Sequence, residues 1–458
     1  MRLFLVAFLA VATGVASVQA EVRLPSVFGS HMVLQRDRPI IIYGITAEPG
    51  TQVEVALDDD QASTTSDANG NWSVKLSPRK ASTKGATLKV QAGGTVLKYT
   101  DILIGDVWVG SGQSNMEWPL TASADPKETI AQASHPMIRL YHVPKVQPPT
   151  PARDIDAFWR VCKPLSAQRF SAVLYHFGVK LQKELDVPIG LINSSWGGSR
   201  IEPWTVTPAP DAKVKGPGGM YNGMIAPLRQ FSIKGVLWYQ GESNMAEGML
   251  YRERKERLIN DWRTFWGAEM PFYFVQIAPY ARYGKPVLPE FWEAQTACLK
   301  IPHTGMVVIT DLVDDLNDIH PKNKREVGER LARWALNRSY GRADVVVSGP
   351  LFKSLKIDGD KAIVFFAYAK GLKSRDGKPL SEWEIAGEDG TFVQAEATID
   401  GETVVVRGKG VSNPTQVRLG WRNVANPNLC NGEGLPAAPF RSKDWKGGTG
   451  EASGDATK

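Results

Sequence analysis

The pentapeptide Gly-x-Ser-Asn-Met occurs twice in this chain, each time after a run that reads as a buried strand. Gly112-Gln113-Ser114-Asn115-Met116 follows Asp106-Val107-Trp108-Val109-Gly110, and Gly241-Glu242-Ser243-Asn244-Met245 follows Gly235-Val236-Leu237-Trp238-Tyr239-Gln240. In open α/β sheets chemistry gathers at the carboxyl ends of strands, so the two turns are candidates to face one another across one site. A serine used as a nucleophile needs a base, a group that orients the base, and donors for the oxyanion. The chemistry indicated is acyl transfer, with ester hydrolysis as its simplest form.

Of the six histidines, His320 is the one placed for that task. It follows the strand-like run Met306-Val307-Val308-Ile309-Thr310 and precedes Pro321 and a helix, in a strand-to-helix loop on the catalytic edge. An imidazole there titrates near ~6.5 unless perturbed, which suits a base at neutral pH. His176 lies on a helical stripe, His31 in an N-terminal β region, and His303 at the wrong end of a strand. Neither Ser114 nor Ser243 sits in Gly-x-Ser-x-Gly, so the usual α/β-hydrolase elbow is not supported. A Ser-Asn pair after a strand also reads as a helix N-cap, and the residues alone leave both serines as candidates.

The elements that must position these residues change character along the chain. Residues 21–101 alternate short apolar runs with turns, including the hairpin signal Asn69-Gly70, and read as an N-terminal β-sandwich-like module. From 102 to 342, strand-like runs alternate with amphipathic helices, such as the stripe Phe170, Val173, Leu174, Phe177, Leu181, Leu185. That alternation predicts a doubly wound, mainly parallel α/β sheet. Residues 343–442 return to strand-and-turn texture, a second β-sandwich-like module. Residues 443–458 are rich in Gly, Ser, Lys and Asp and are expected to be disordered.

The ends and the bulk composition narrow the setting. Residues 1–20 join one arginine to an apolar run ending Ser17-Val18-Gln19-Ala20, a secretory signal peptide that is too short to be a span. Export to the periplasm or beyond is the expectation, with no integral membrane span. The 458 residues carry a net charge of +6, not gathered into any run, which argues against nucleic-acid binding. Three dispersed cysteines give no disulfide framework, and no metal-ligand spacing is present. No metal or organic cofactor is called for.

Several blocks now become recognisable together. Gly112-Gln113-Ser114-Asn115-Met116-Glu117-Trp118 resembles the nucleophile block of the sialate O-acetylesterase family of SGNH hydrolases. Asn193-Ser194-Ser195-Trp196-Gly197-Gly198-Ser199-Arg200-Ile201-Glu202-Pro203-Trp204 resembles its glycine block. Tyr221–Leu228, Trp238–Asn244, Asn317–Pro321 with Val327–Ala332, and Leu435–Arg441 also match, in family order. The resemblance implies an SGNH-type fold and a hydrolase that removes acetyl esters from O-acetylated sialic acids. It implies Ser114 as nucleophile and His320 as base. The oxyanion hole would comprise the Ser114 N–H, Gly198 and Gln240, and Ser243 becomes a structural residue.

Many SGNH hydrolases have aspartate three residues before the histidine, where this chain has Asn317. A Ser-His dyad, its ring held by a main-chain carbonyl or Asn317, is therefore expected first, with Asp318 or Glu242 as the alternative orienter. For substrate, Arg200 is placed to pair with a sialate carboxylate, or else to lock its loop to Glu202. Trp118, Trp196 and Trp204 are candidates to stack on a sugar, although core packing is the commoner role of tryptophan. Two rival readings remain: an esterase for another acetylated carbohydrate such as xylan, and a glycan-binding protein on an inactive esterase fold.

Overall fold

A computed structural model describes residues 21–206, 218–285 and 287–450. The leader-like segment 1–20 lies outside the described residues, as do 451–458 of the C-terminal segment. The architecture is α/β with a predominance of sheet. At its centre, strands run in the order Trp159–Cys162, His135–His142, Ile189–Ser195, Thr95–Gly112, Gly235–Tyr239, Phe272–Val275 and Thr304–Val307. All these pairings are parallel except that of the edge strand Trp159–Cys162.

This order makes Thr95–Gly112 the turning point of the fold. From it the chain passes to His135–His142 and the edge strand Trp159–Cys162, returns to Ile189–Ser195 beside it, and then crosses to the other side at Gly235–Tyr239. Both neighbours stop level with it, since Ser195 and Tyr239 each pair with Gly112. The loops that follow all three strands therefore open into one crevice, the place where ligands bind in sheets of this kind. Near-continuous apolar runs explain why these strands are buried on both faces: all seven residues of Ile189–Ser195 and all five of Gly235–Tyr239 are buried.

Helices close the two faces. Ala172–Leu185 is capped by Ser171, whose Oγ accepts the Leu174 N–H at 3.2 Å and donates to the Met116 carbonyl at 2.6 Å. One hydroxyl thus starts the helix and ties it to the segment bearing Ser114. Lys324–Trp334 packs on the same helix at close range, because Gly328 has no Cβ; one would lie 2.6 Å from the Val173 carbonyl oxygen.

The core does not divide at residue 101. Thr95–Gly112 is one 18-residue strand whose first part pairs antiparallel with Ser82–Ala92 and whose last part lies in the parallel sheet. Buried residues of the N-terminal region, Ile42, Val55 and Leu88 among them, belong to the same apolar cluster as Trp108 and Trp238. The C-terminal region does have its own cluster, around Val364, Trp383, Val406 and Phe440. Its seven-stranded sheet is antiparallel and curls until Phe352 near one edge stacks on Phe440 at the other, with centroids 4.4 Å apart.

Disorder was expected from residue 443, and residues 443–450 instead lie against the body of the protein. The Trp445 ring meets Phe352 and Phe440, the Lys446 N–H donates to Glu293 Oε1 at 2.8 Å, and the Gly448 N–H to the Thr296 carbonyl. A partly buried tryptophan and two backbone bonds outweigh the polar composition. Cys162, Cys298 and Cys430 are buried and unpaired. Among the described residues no helix is long and apolar enough to cross a membrane.

Candidate active site

Ser114 stands two residues past the end of the central strand. The chain turns there through Gly112 at φ +133°, where a Cβ would fall 2.2 Å from the Tyr239 carbonyl oxygen, so only glycine fits. The Gln113 N–H donates to that carbonyl at 2.9 Å, and Gln113 Oε1 accepts the N–H groups of Gly241 and Ser243, both at 3.3 Å. The two Gly-x-Ser-Asn-Met turns are thereby pinned together, as their placement after adjacent strands suggested. Ser114 opens the short helix Ser114–Glu117, and its backbone N–H has no partner among the described residues.

His320 arrives from three strands away and meets the serine directly, with Nε2 2.9 Å from Ser114 Oγ. Its ring lies flat on Trp118, with centroids 4.4 Å apart and planes 15° off parallel. Trp118 is fixed in turn by its indole N–H on the Ala122 carbonyl at 2.8 Å. The imidazole is held below its ordinary value by burial first and by the Lys324 charge second, with Asp318 opposing both. It is therefore neutral at pH 7 and able to accept the serine proton.

Of the residues considered as orienters, the structure brings Asp318 to the ring. Asn317 is exposed and contributes a backbone N–H to Asp315 Oδ1. Asp318 turns back under the loop, its Oδ1 accepting the His320 backbone N–H at 2.9 Å and standing 3.4 Å from Nδ1. The two-residue spacing makes this an Asx-type turn, which aims the carboxylate at the ring instead of away from it. Glu242 does not reach His320. It is buried, its carboxyl value raised by that burial, and it accepts the Asn115 side-chain N–H at 2.6 Å.

The donors for an oxyanion divide likewise. Gly197 sits against the nucleophile, where an added Cβ would lie 3.4 Å from Ser114 Cβ, but its N–H already donates to Glu117 Oε2 at 2.6 Å. Gly198, at φ +73° with open space before it, has an N–H with no partner among the described residues. The N–H groups of Ser114 and Gly198 are thus available. The Gln240 amide is not: it is fully buried, and Nε2 donates to Asn244 Oδ1 at 2.8 Å and to Ser199 O and Gln113 Oε1 at 3.2 Å. Two amide hydrogens spread over three acceptors leave none for a substrate.

Neither expected substrate contact is free. Arg200 donates to Glu202 and Glu247 and, at 2.8 Å, to the Ser243 carbonyl, so two carboxylates already neutralise it. This is the loop-locking alternative, extended to a second glutamate. Trp204 is wholly buried, edge-on to Trp238 with its indole N–H on Ser199 Oγ, and cannot stack on a sugar. Ser243 Oγ donates to the Gly198 carbonyl at 3.0 Å, a strut beneath the glycine turn. Asn115, Glu117 and Lys324 were not assigned roles from sequence, and Trp118, read there as a candidate to stack on a sugar, lies against the His320 ring. The proximity of Asn115 and Glu117 to Ser114 was the only signal, and Lys324 gave none. Among the described residues no three His, Cys, Asp or Glu side chains gather as metal ligands would.

A family model for carbohydrate esterases, described as sialic acid-specific acetylesterase, matches residues 104–337. The chain belongs to this family. Sialate O-acetylesterases of Mus musculus and Homo sapiens are 30% identical over 436 residues and 31% identical over 410. Each alignment takes in 77% of this chain, and 80% and 77% of the respective relative. A solved carbohydrate acetylesterase from Xanthomonas citri superposes with a TM-score of 0.88 at 38% identity, covering 93% of this chain and all of that one. As a member of the acetylesterase family the chain is a carboxylic ester hydrolase.

Proposed function

We propose that the protein removes acetyl groups from O-acetylated carbohydrates through an acetyl-Ser114 intermediate on an SGNH-type sheet. The observation that carries this reading is the 2.9 Å contact of His320 Nε2 with Ser114 Oγ at the turning point of the sheet. His320 takes the Ser114 proton as Oγ attacks the acetyl carbonyl. The Ser114 and Gly198 N–H groups stabilise the oxyanion, each such donor being worth about 3 kcal/mol in comparable sites. His320 then protonates the departing sugar oxygen, which frees the alcohol and leaves acetyl-Ser114. Water, deprotonated by the same imidazole, attacks the acetyl group and releases acetate. Asp318, close to Nδ1, favours the imidazolium formed in each half.

For the sugar itself, a neutral acetylated saccharide such as xylan is the reading the geometry favours, because Arg200 is already paired with Glu202 and Glu247. Acetylated sialic acid is the second reading, supported by the names of the mammalian relatives. The deciding measurement is acetate release from acetylated xylan and from O-acetylated sialic acid at matched acetyl concentration. A higher kcat/KM on the sialic acid would overturn the preference for a neutral sugar. Residues 1–20 support export, so the reaction is proposed to take place in the periplasm or outside the cell.

A further inference from the structure

Three turns of the site meet on one buried amide. Asn115, next to Ser114, is wholly buried, and its Nδ2 donates to Glu242 Oε1 at 2.6 Å and to the Ile319 carbonyl at 3.0 Å. Its Oδ1 accepts from Lys324 Nζ at 2.5 Å. The Ile319 carbonyl belongs to the peptide that leads into His320. One side chain therefore connects the nucleophile turn, the histidine loop and the Glu242 turn. No other placement of the amide satisfies all three contacts, since the two acceptors require the nitrogen and the ammonium requires the oxygen.

Lys324 is the unusual member of this group. It opens the helix that follows the histidine loop, is 1% exposed, and lies between the faces of Trp118 and Tyr239, at 5.7 and 5.6 Å from their centroids. A buried ammonium is costly unless compensated, and its counter-charge, Glu242, stands on the far side of the Asn115 amide. Lysine on the oxygen and glutamate on the nitrogen polarise that amide in the same sense, so each bond strengthens the other. Among the described residues Glu242 Oε2 has no hydrogen-bond partner, so Asn115 carries the link between the two charges.

We propose that Lys324 is a positioning residue for the esterase reaction, which acts through Asn115 to hold the His320 loop against Ser114. This rests on Ser114 and His320 being the reacting pair. Lys324 touches neither the serine hydroxyl nor the imidazole nitrogens, and its effect should appear in the geometry of attack, not in substrate binding.

The test uses the full-length protein, a chromogenic acetyl ester, and a serine-directed phosphonate whose adduct is mapped by mass spectrometry. In Lys324→Met, kcat should fall by between about tenfold and 10²-fold with KM little changed, the scale of loss for a misplaced catalytic group. Phosphonylation of Ser114 should slow in parallel. The double variant Lys324→Met/Glu242→Gln removes both buried charges and should regain melting temperature over Lys324→Met while kcat stays low. Recovery of kcat together with stability would mean that Lys324 only compensates Glu242, and would overturn the inference. Wild-type kcat and labelling rate in Lys324→Met would overturn it as well. If Lys324→Met does not fold, the double variant decides the matter in the same way. Failure of the wild-type protein to label at Ser114 would remove the serine reading and this inference with it.

Discussion

Asp318 reaches His320 twice with one oxygen: Oδ1 accepts the histidine's backbone N–H at 2.9 Å and lies 3.4 Å from Nδ1 of its ring. The first contact shapes the loop, and the second places a negative charge beside the nitrogen that does not face Ser114. The separation from Nδ1 exceeds a good N–H···O hydrogen bond, so the carboxylate acts on the ring mainly through its charge. The imidazole also rests on Trp118, which fixes its plane without using a ring nitrogen. A dyad steadied by an aromatic face and a nearby carboxylate lies between the two alternatives that the sequence left open.

Replacing that charge has a definite sign. His320 lies below its ordinary value because burial and Lys324 outweigh Asp318. Asp318→Asn should lower it further and move the acid limb of the pH profile of kcat/KM downward. The rate at pH 7 should fall by less than the ~10²-fold or more expected for His320→Ala, the lower end for losing a general base. Asn317→Ala should leave both limb and rate unchanged. An acid limb that stays in place in Asp318→Asn would remove Asp318 from any role at the ring.

The two matched pentapeptides separate cleanly by mutation. Ser114→Ala should abolish turnover, because the hydroxyl at 2.9 Å from His320 Nε2 is the proposed attacking group. Ser243→Ala loses one hydrogen bond to the Gly198 carbonyl, worth about 1 kcal/mol, and should retain substantial activity. Steady-state rates on a chromogenic acetyl ester check both. Phosphonate labelling at Ser243 would reverse the assignment.

What was legible in the sequence depended on how local the determining contacts are. Alternating strand runs and helical stripes gave away the parallel sheet, because period and burial are written into neighbouring residues. Gly112 and the strand before it placed Ser114 at a strand end for the same reason. The surroundings of Gln240 and Arg200 were not legible because their partners come from elsewhere in the chain: Ser199 and Asn244 for the amide, Glu247 for the guanidinium. Lys324 was invisible because its burial is decided by Trp118 and Tyr239, far away in sequence. The strand that runs through residue 101 was not legible either, because a strand that changes partners midway has no compositional mark.

Arg200 now supports a prediction opposite to a carboxylate clamp. Its partners are Glu202, Glu247 and the Ser243 carbonyl, so Arg200→Met should leave two carboxylates to Arg254 alone and loosen the Ser243 turn. The melting temperature should drop, and kcat/KM should fall by a similar factor on a chromogenic acetyl ester and on O-acetylated sialic acid. A loss confined to the sialic acid, with stability intact, would restore the clamp.

A last prediction concerns stability and lies away from the chemistry. His176, buried between helices Ala172–Leu185 and Lys324–Trp334, is pushed down to about 3, chiefly by burial and secondarily by the Arg325 charge. Its folded value lies below its unfolded value of ~6.5, so below that pH the unfolded chain binds the extra proton. The contribution of neutral His176 is fully present above about pH 6.5 and is lost progressively as the pH falls toward about 3. Each unit within that window costs up to about 1.4 kcal/mol. Denaturation of the wild-type protein between pH 7 and pH 5 should therefore show a steeper loss of stability than His176→Leu, which removes the titration while filling the same space. Parallel slopes in the two proteins would mean that His176 takes up its proton in the folded state as readily as in the unfolded one.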